Sequence, residues 1–377
     1  MTSKEKLSTL RQEIDGIDAQ LVQLFQDRML ISEKVAEVKA EGNIAIVDEH
    51  REQHILDQAT KTAGKENKAA VISFMRTLIA LSKIKQTHQL MLADPIAFPP
   101  STALKKENLT VAYQGVQGAW SEHSAVSLYP NAALKQCDYF EDVVTMVKSG
   151  KADYGVLPIE NSHTGAIGEV YDLLRHHACY IVGQVWIQVA QCLLAKEETV
   201  LSDIREIYSH PEGFNQCRRY LKNKNWDLTA CRNTAFAAKM VADQSSNKFA
   251  AIGSRRAAQV HNLSILVPDI MDNTNNKTRF IAIASQPVYD ESCEMTSITF
   301  STVHRSGALC AVLESFMLAG INLSRIESRP VSTEKYRFFA DLQANIMDPK
   351  MLDALQLAAM HCDYFEILGC YQTTPEA

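Results

Sequence analysis

Arg28 stands in an apolar helical line, between Leu24 and Ile31. Apolar residues recur at Leu7, Leu10, Ile14, Ile17, Leu21, Leu24, Ile31, Val35 and Val38. That 3–4 spacing is a heptad seam. An arginine there is costly to bury without a partner. It either snorkels or ion-pairs, its stem covering apolar surface, or it marks an anion site inside a helical bundle. Arg11 and Lys39 share one heptad phase and flank the seam. At about 1.5 Å per residue, Arg28 and Lys39 lie roughly 16 Å apart, and Arg11 and Lys39 roughly 42 Å apart. Two long side chains at 28 and 39 can reach one small ligand. Arg11 cannot join them on the same straight helix. If all three serve one site, Arg11 comes from a second chain, which predicts a dimer.

The next helical segments carry more polar groups. Asp48, Arg51, Glu52 and Ile55 fall at i, i+3, i+4 and i+7 and share a helix face. Such a face is either simply solvated or part of a site. Ser82 and Gln86 extend the stripe begun by Met75 and Leu78. They are either polar residues at a helix end or donors on a core-facing line.

Further along, polar clusters follow short β-rich runs. They are Gln114-Gly115-Val116-Gln117-Gly118, Ile159-Glu160-Asn161-Ser162, Tyr208-Ser209-His210-Pro211, Asn233-Thr234, Ile252-Gly253-Ser254-Arg255 and Asn276-Lys277-Thr278-Arg279. Each alone reads as a cap or a turn, with Ser121 a candidate N-cap. Together they suggest a ligand site, because open α/β sheets bind ligands at strand ends. The glycine pair lets backbone amides approach an anion. It is not the GxGxxG loop of dinucleotide binding, and no cofactor is indicated. His176, His177 and Cys179 do not have zinc-ligand spacing, and no metal is expected.

The elements that position these residues show in texture. Up to about residue 92 the pattern is helical, with Pro absent. Residues 93–108 hold three prolines and read as a linker. From Leu109, short strands alternate with helices, which suggests an α/β architecture over 109–285. The last piece, 296–377, reads strand 296–303, helix 307–319, strand 321–328, strand 336–344, helix 349–360, strand 364–371. That βαββαβ order is ferredoxin-like, an α+β unit.

Composition narrows the class. The 377 residues are 46% hydrophobic and 22% charged, as in ordinary globular chains. Lys+Arg is 38 against 44 Asp+Glu, a net charge of −6, which argues against general nucleic-acid binding. No apolar run reaches the roughly 18 residues of a membrane span. The opening residues form a charged amphipathic segment, and the nine cysteines contain no CxxC. A reduced, cytoplasmic protein is expected.

Residues 1–92 resemble the all-helical chorismate mutases. The set Arg11, Arg28, Lys39, Asp48, Arg51, Glu52, Ser82 and Gln86 carries the likeness. The resemblance implies that Arg28 and a partner-chain Arg11 clamp the carboxylates of chorismate, with Lys39 and Gln86 donating to its ether oxygen. Asp48 and Glu52 would hold the ring hydroxyl end, supported by Arg51 and Ser82. The rearrangement needs only preorganised donors and restraint.

Residues 109–285 resemble prephenate dehydratase, through Ile-Glu-Asn-Ser-x-x-Gly (159–165), Tyr-Ser-His-Pro (208–211) and Thr-Arg-Phe (278–280). The implied fold is two periplasmic-binding-protein-like lobes around a cleft. The implied reaction removes CO₂ and the ring hydroxyl from prephenate, giving phenylpyruvate. Thr278 is expected to assist departure of the hydroxyl. Asn161, Ser209, Gln216 and Thr234 would position substrate, with Arg279 a carboxylate partner. Val116 and Ala119 depart from the commoner pattern of the first loop.

The Gly307-Ala308-Leu309 and Glu327-Ser328-Arg329-Pro330 segments resemble the ACT domain of prephenate dehydratases, over 296–374. The resemblance implies phenylalanine binding between paired domains and feedback inhibition. The whole chain thus resembles a bifunctional enzyme of phenylalanine biosynthesis, a homodimer with shared mutase sites. A non-catalytic amino-acid sensor built from the same domains is the alternative.

Overall fold

The heptad-patterned N-terminus folds as one helix, α1 (Ser3–Glu41). Thr2 caps it: its hydroxyl accepts from the Glu5 N–H, and the Glu5 carboxylate accepts from the Thr2 N–H at 2.7 Å. Asp48 caps α2 (Glu49–Thr62) by accepting from the Arg51 N–H at 2.9 Å. The third long helix is α3 (Lys68–Leu90). This computed structural model describes residues 2–42, 44–90, 98–102, 107–177, 179–332 and 335–375. Most of the expected 93–108 linker therefore lies outside the described residues.

The α/β body follows. Its first strands are β1 (Thr110–Gln114), β2 (Ala133–Cys137), β3 (Tyr154–Asn161), β4 (Gly165–Ala166) and β5 (Tyr180–Gln188), with helices α4 (Trp120–Leu128), α5 (Phe140–Lys148) and α6 (Gly168–His177) between them. Next come β6 (Cys192–Ala195), β7 (Glu206–Ser209), α7 (Pro211–Gln216), α8 (Arg218–Leu221), β8 (Asp227–Ala230), α9 (Thr234–Asp243), β9 (Phe249–Gly253), α10 (Arg255–Val260), β10 (Ser264–Val267) and β11 (Lys277–Ala284). The C-terminal part is β12 (Met295–Ser301), α11 (Ala308–Leu318), β13 (Leu323–Pro330), β14 (Tyr336–Leu342), α12 (Pro349–Ala359), β15 (Tyr364–Tyr371) and β16 (Thr373–Thr374).

Two sheets make the two lobes. One runs β16-β5-β11-β3-β1-β2, with β4 on β3, and the other β10-β6-β9-β7-β8. The chain passes between them twice, from β5 to β6 and from β10 to β11. Central β3 reads Tyr-Gly-Val-Leu-Pro-Ile and is buried throughout that run, as a strand covered on both faces must be. Pro158 lacks an N–H, and the β3–β11 register shifts beside it, between Arg279 and Phe280. The third sheet runs β13-β14-β12-β15, the ferredoxin-like order expected from βαββαβ.

By packing, the chain divides into two units. One holds Met1–Phe98, Phe300–Asn322 and Asp348–Phe365; the other holds Pro99–Thr299, Leu323–Met347 and Glu366–Ala377. In the first, α1 packs on α3 and buries Ser32 and Ala36. Much of the seam stays uncovered: Leu10, Ile17 and Leu24 are 55%, 57% and 64% exposed.

Candidate active sites

The helical site is built from the face of α1 that meets α3. Arg28, Ser32, Ala36 and Lys39 lie within one helical face. Arg28 Nη1 donates to the Leu78 carbonyl at 2.7 Å and also to Ser82 Oγ. Ser82 Oγ in turn donates to the same carbonyl at 3.0 Å. Partial burial draws the guanidinium pKa of Arg28 below its ordinary value. Gln86, one turn beyond Ser82, is buried, and its Oε1 has no hydrogen-bond partner. An amide oxygen accepts, so the donor role expected of Gln86 falls to its Nε2. Lys39 Nζ donates to the Ile46 carbonyl at 2.6 Å, which places the ammonium against the α1–α2 connection. Glu52 pairs with Lys83 at 3.2 Å. Arg28, Ser82 and Gln86 thus come together, while Asp48, Arg51 and Arg11 stand exposed in the single chain.

The second site is a cleft of about 280 Å³ between the lobes. That volume lies just under the usual range for small-molecule pockets. Asn161 ends β3 and Thr278 is the second residue of β11, and the two pair across the ladder. Asn161 Oδ1 accepts from the His163 and Thr164 N–H groups at 2.9 and 3.0 Å. Those two bonds fix which end of the amide is oxygen. Its Nδ2 therefore donates, to Asn276 Oδ1 at 2.7 Å and Thr278 Oγ1 at 2.9 Å. Because Thr278 Oγ1 accepts from Asn161, its own O–H is available to donate into the cleft. Across the cleft, Gln216 Oε1 accepts from Gln191 Nε2 at 3.0 Å, and Thr234 opens α9 behind its cap Asn233.

Comparison with known proteins bears on both sites. A chorismate mutase type II family profile matches residues 10–87, and a prephenate dehydratase profile matches residues 111–288. The bifunctional chorismate mutase/prephenate dehydratase of Escherichia coli (strain K12) is 30% identical over 98% of this chain and 97% of its own length. The chain belongs to the bifunctional chorismate mutase/prephenate dehydratase family. Two solved structures each match 70% of this chain. One is a prephenate dehydratase from Arthrobacter aurescens in complex with L-Phe, 27% identical at TM-score 0.64, covering 70% of this chain and 90% of that one. The other, GqqA, is described as a novel type of quorum-quenching acylase. It is 29% identical at TM-score 0.64, covering 70% of this chain and 98% of that one.

Within the dehydratase domain, two expected substrate contacts take other roles. Ser209 is fully buried and donates to the Ile252 carbonyl at 3.1 Å. It lies directly under Gly213, where an added Cβ would meet its hydroxyl. Ser209 thus supports the cleft wall and does not line it. Arg279 is 4% exposed and turns to the face opposite Thr278, because side chains alternate along a strand. Its Nη1 donates to Asp341 Oδ2 at 2.6 Å and to Gln184 Oε1 at 3.1 Å, and its Nε lies 3.5 Å from Glu160. Its carboxylate partners are the chain's own, which outweigh desolvation and raise its pKa.

The glycine loop is also structural. Its Gly118 N–H donates to Glu122 at 3.3 Å and its carbonyl accepts from Ser254 Oγ at 3.1 Å. The helix after it begins at Trp120 with Ala119 as cap, so Ser121 lies inside the helix. The cleft lining also includes His210, from the Tyr-Ser-His-Pro stretch, together with Glu212 and Arg232, which sequence reasoning did not single out. Arg232 had one signal, its place just before the Asn233 cap of α9.

Proposed function

We propose that the chain rearranges chorismate to prephenate at the Arg28–Ser82–Gln86 cluster and converts prephenate to phenylpyruvate in the two-lobed cleft. In the first step a C–O bond breaks as a C–C bond forms, so negative charge grows on the ether oxygen. Lys39 and Gln86 are the donors assigned to it, and Arg28 holds a carboxylate. In the second step the ring C–CO₂ bond breaks and its electron pair completes the aromatic ring. The C–OH bond breaks with its pair on oxygen, and a proton from solvent joins it to give water. Thr278 donates to that oxygen as charge develops; an alcohol is too weak an acid to give up its proton outright. Asn161, Gln216 and Thr234 position the substrate.

The observation that carries this reading is the Asn161–Thr278 bond in the cleft lining, which occupies Thr278 Oγ1 as an acceptor and leaves its O–H to donate. The test is one purified chain given chorismate, with phenylpyruvate followed. Accumulation of prephenate alone would remove the second activity, and unconsumed chorismate the first.

Two finer assignments belong to the same proposal. The chain acts as a homodimer, since the uncovered α1 seam needs a partner and Arg11 is too far along the helix to serve its own site. The 296–374 region is an ACT domain that binds phenylalanine at the Gly307-Ala308-Leu309 and Glu327-Ser328-Arg329-Pro330 segments and restrains the dehydratase. Gly307 adopts φ +82 as it starts α11. Glu160, the neighbour of Asn161, pairs with Arg325 at 3.0 Å, two residues before Glu327. A change along β13 therefore has a short route to the residue that orients Thr278.

A further inference from the structure

We infer that Arg232 is the specificity residue that holds the pyruvyl carboxylate of prephenate, and so sets which end of the substrate faces Thr278. The inference rests on the dehydratase reading of the cleft. Prephenate brings two carboxylates into a protein of net charge −6, so the site must supply its own cation. Arg279 does not supply it, being buried on the other face of β11 against Asp341. Among the described residues that line the cleft with Asn161 and Thr278, Arg232 is the one lysine or arginine. It stands on the opposite lobe, immediately before the Asn233 cap of α9, with its guanidinium carbon 4.5 Å from the Phe236 ring centroid. Stacking on that ring holds the planar fork in place while leaving its edge for a carboxylate. The ion pairs formed among the described residues do not engage it.

The chemistry decides which carboxylate it takes. The ring carboxylate loses its charge as CO₂ departs. A cation fixed on it would stabilise the bound substrate more than the transition state and slow the reaction. The pyruvyl carboxylate keeps its charge from substrate through transition state to phenylpyruvate. Arginine there binds all three alike, tightening binding without raising the barrier. With the pyruvyl end on Arg232 and the ring hydroxyl at Thr278, the departing carboxylate is left without a cation, which favours its loss.

The product makes the assignment testable, because phenylpyruvate retains only the pyruvyl carboxylate. In the full chain, Arg232→Gln should raise the prephenate KM and weaken phenylpyruvate binding by matching factors, about tenfold to a hundredfold for a lost charged hydrogen bond. The dehydratase kcat should stay within about threefold. Arg232→Lys should recover part of both. Mutase turnover in the same preparation reports that the chain is folded. A raised KM with unchanged phenylpyruvate binding would place Arg232 on the departing carboxylate and overturn the inference. Unchanged values of both, or a collapse of kcat alone, would overturn it as well. If the unsubstituted chain makes no phenylpyruvate from prephenate, the dehydratase reading itself fails, a separate result from these.

Discussion

Thr278 and Arg279 are consecutive residues of β11 that serve opposite faces of one sheet. Thr278 Oγ1 accepts from Asn161 at 2.9 Å on the cleft side, whereas Arg279 donates to Asp341 at 2.6 Å on the other. One short motif thus carries two separable jobs, the proposed chemistry and a buried pairing. Their consequences on substitution differ in kind.

Thr278→Val keeps the shape of the side chain and removes its donor. Dehydratase kcat should fall by about 10²-fold or more, the loss seen when a preorganised donor is deleted. Mutase turnover should change less than twofold. Incubation with chorismate should then accumulate prephenate, read directly by separating the products. Equal loss of both activities in a folded chain would contradict two separate sites.

Arg279→Ala strands Asp341, which is 6% exposed and also accepts from Ser297 at 2.5 Å. Removing one partner of a buried pair costs about 3–5 kcal/mol. Replacing both, Arg279→Met with Asp341→Leu, should cost clearly less than the single change. Urea unfolding of the parent, Arg279→Ala and the double variant measures the difference. A double variant that loses as much stability as Arg279→Ala, or more, would show that the two residues do not act as a pair.

The paired contrast also explains what could be read without coordinates. The βαββαβ order and the helical N-terminus follow from periodicity, which reports local structure well. Arg28 was visible because a charge in an apolar seam breaks the pattern. The role of Arg279 was not read from the motif, which suggested a carboxylate partner for substrate; alternation along β11 turns it to the face opposite Thr278. Its partner Asp341 was not visible either, lying 62 residues away on β14. Ser209 misled because a hydroxyl at a strand end looks like a ligand group; only the proximity of Gly213 shows that it is roofed over. Arg232 left no periodic trace, because its position depends on how the second lobe folds back across the first.

His361 gives a pH prediction for the first unit. Burial, and then Lys83 and Arg305, hold its imidazole down from the ordinary 6.5 to about 4. Lys83 Nζ lies 3.5 Å from His361 Nε2, consistent with a neutral ring accepting that donor. The unfolded chain protonates this residue near pH 6.5, and the folded chain only near 4. The stability it contributes is therefore complete above about 6.5 and is lost as pH falls toward 4. Thermal unfolding followed between those values should show a steeper loss in the parent than in His361→Gln. Parallel curves for the two proteins would rule out this linkage.

The shared mutase site is tested by subunit exchange. Arg11 and Lys39 are four heptads apart on α1, and one straight helix cannot bend both onto one small ligand. Leu10, Ile14 and Ile17 around Arg11 are 55%, 54% and 57% exposed, a face suited to a second chain. Arg11→Ala and Lys39→Ala should each reduce mutase turnover by about 10²-fold or more, as loss of a transition-state donor or clamp does. Each variant carries the residue the other lacks. A mixed dimer therefore holds one site with both defects and one site with neither. Random mixing makes half of the dimers mixed, each with one sound site in two, so about a quarter of the parent activity should return. Dehydratase turnover should be insensitive to mixing, because its cleft lies within one chain. If tagged subunits are shown to exchange and mutase activity stays absent, Arg11 and Lys39 do not meet across a dimer.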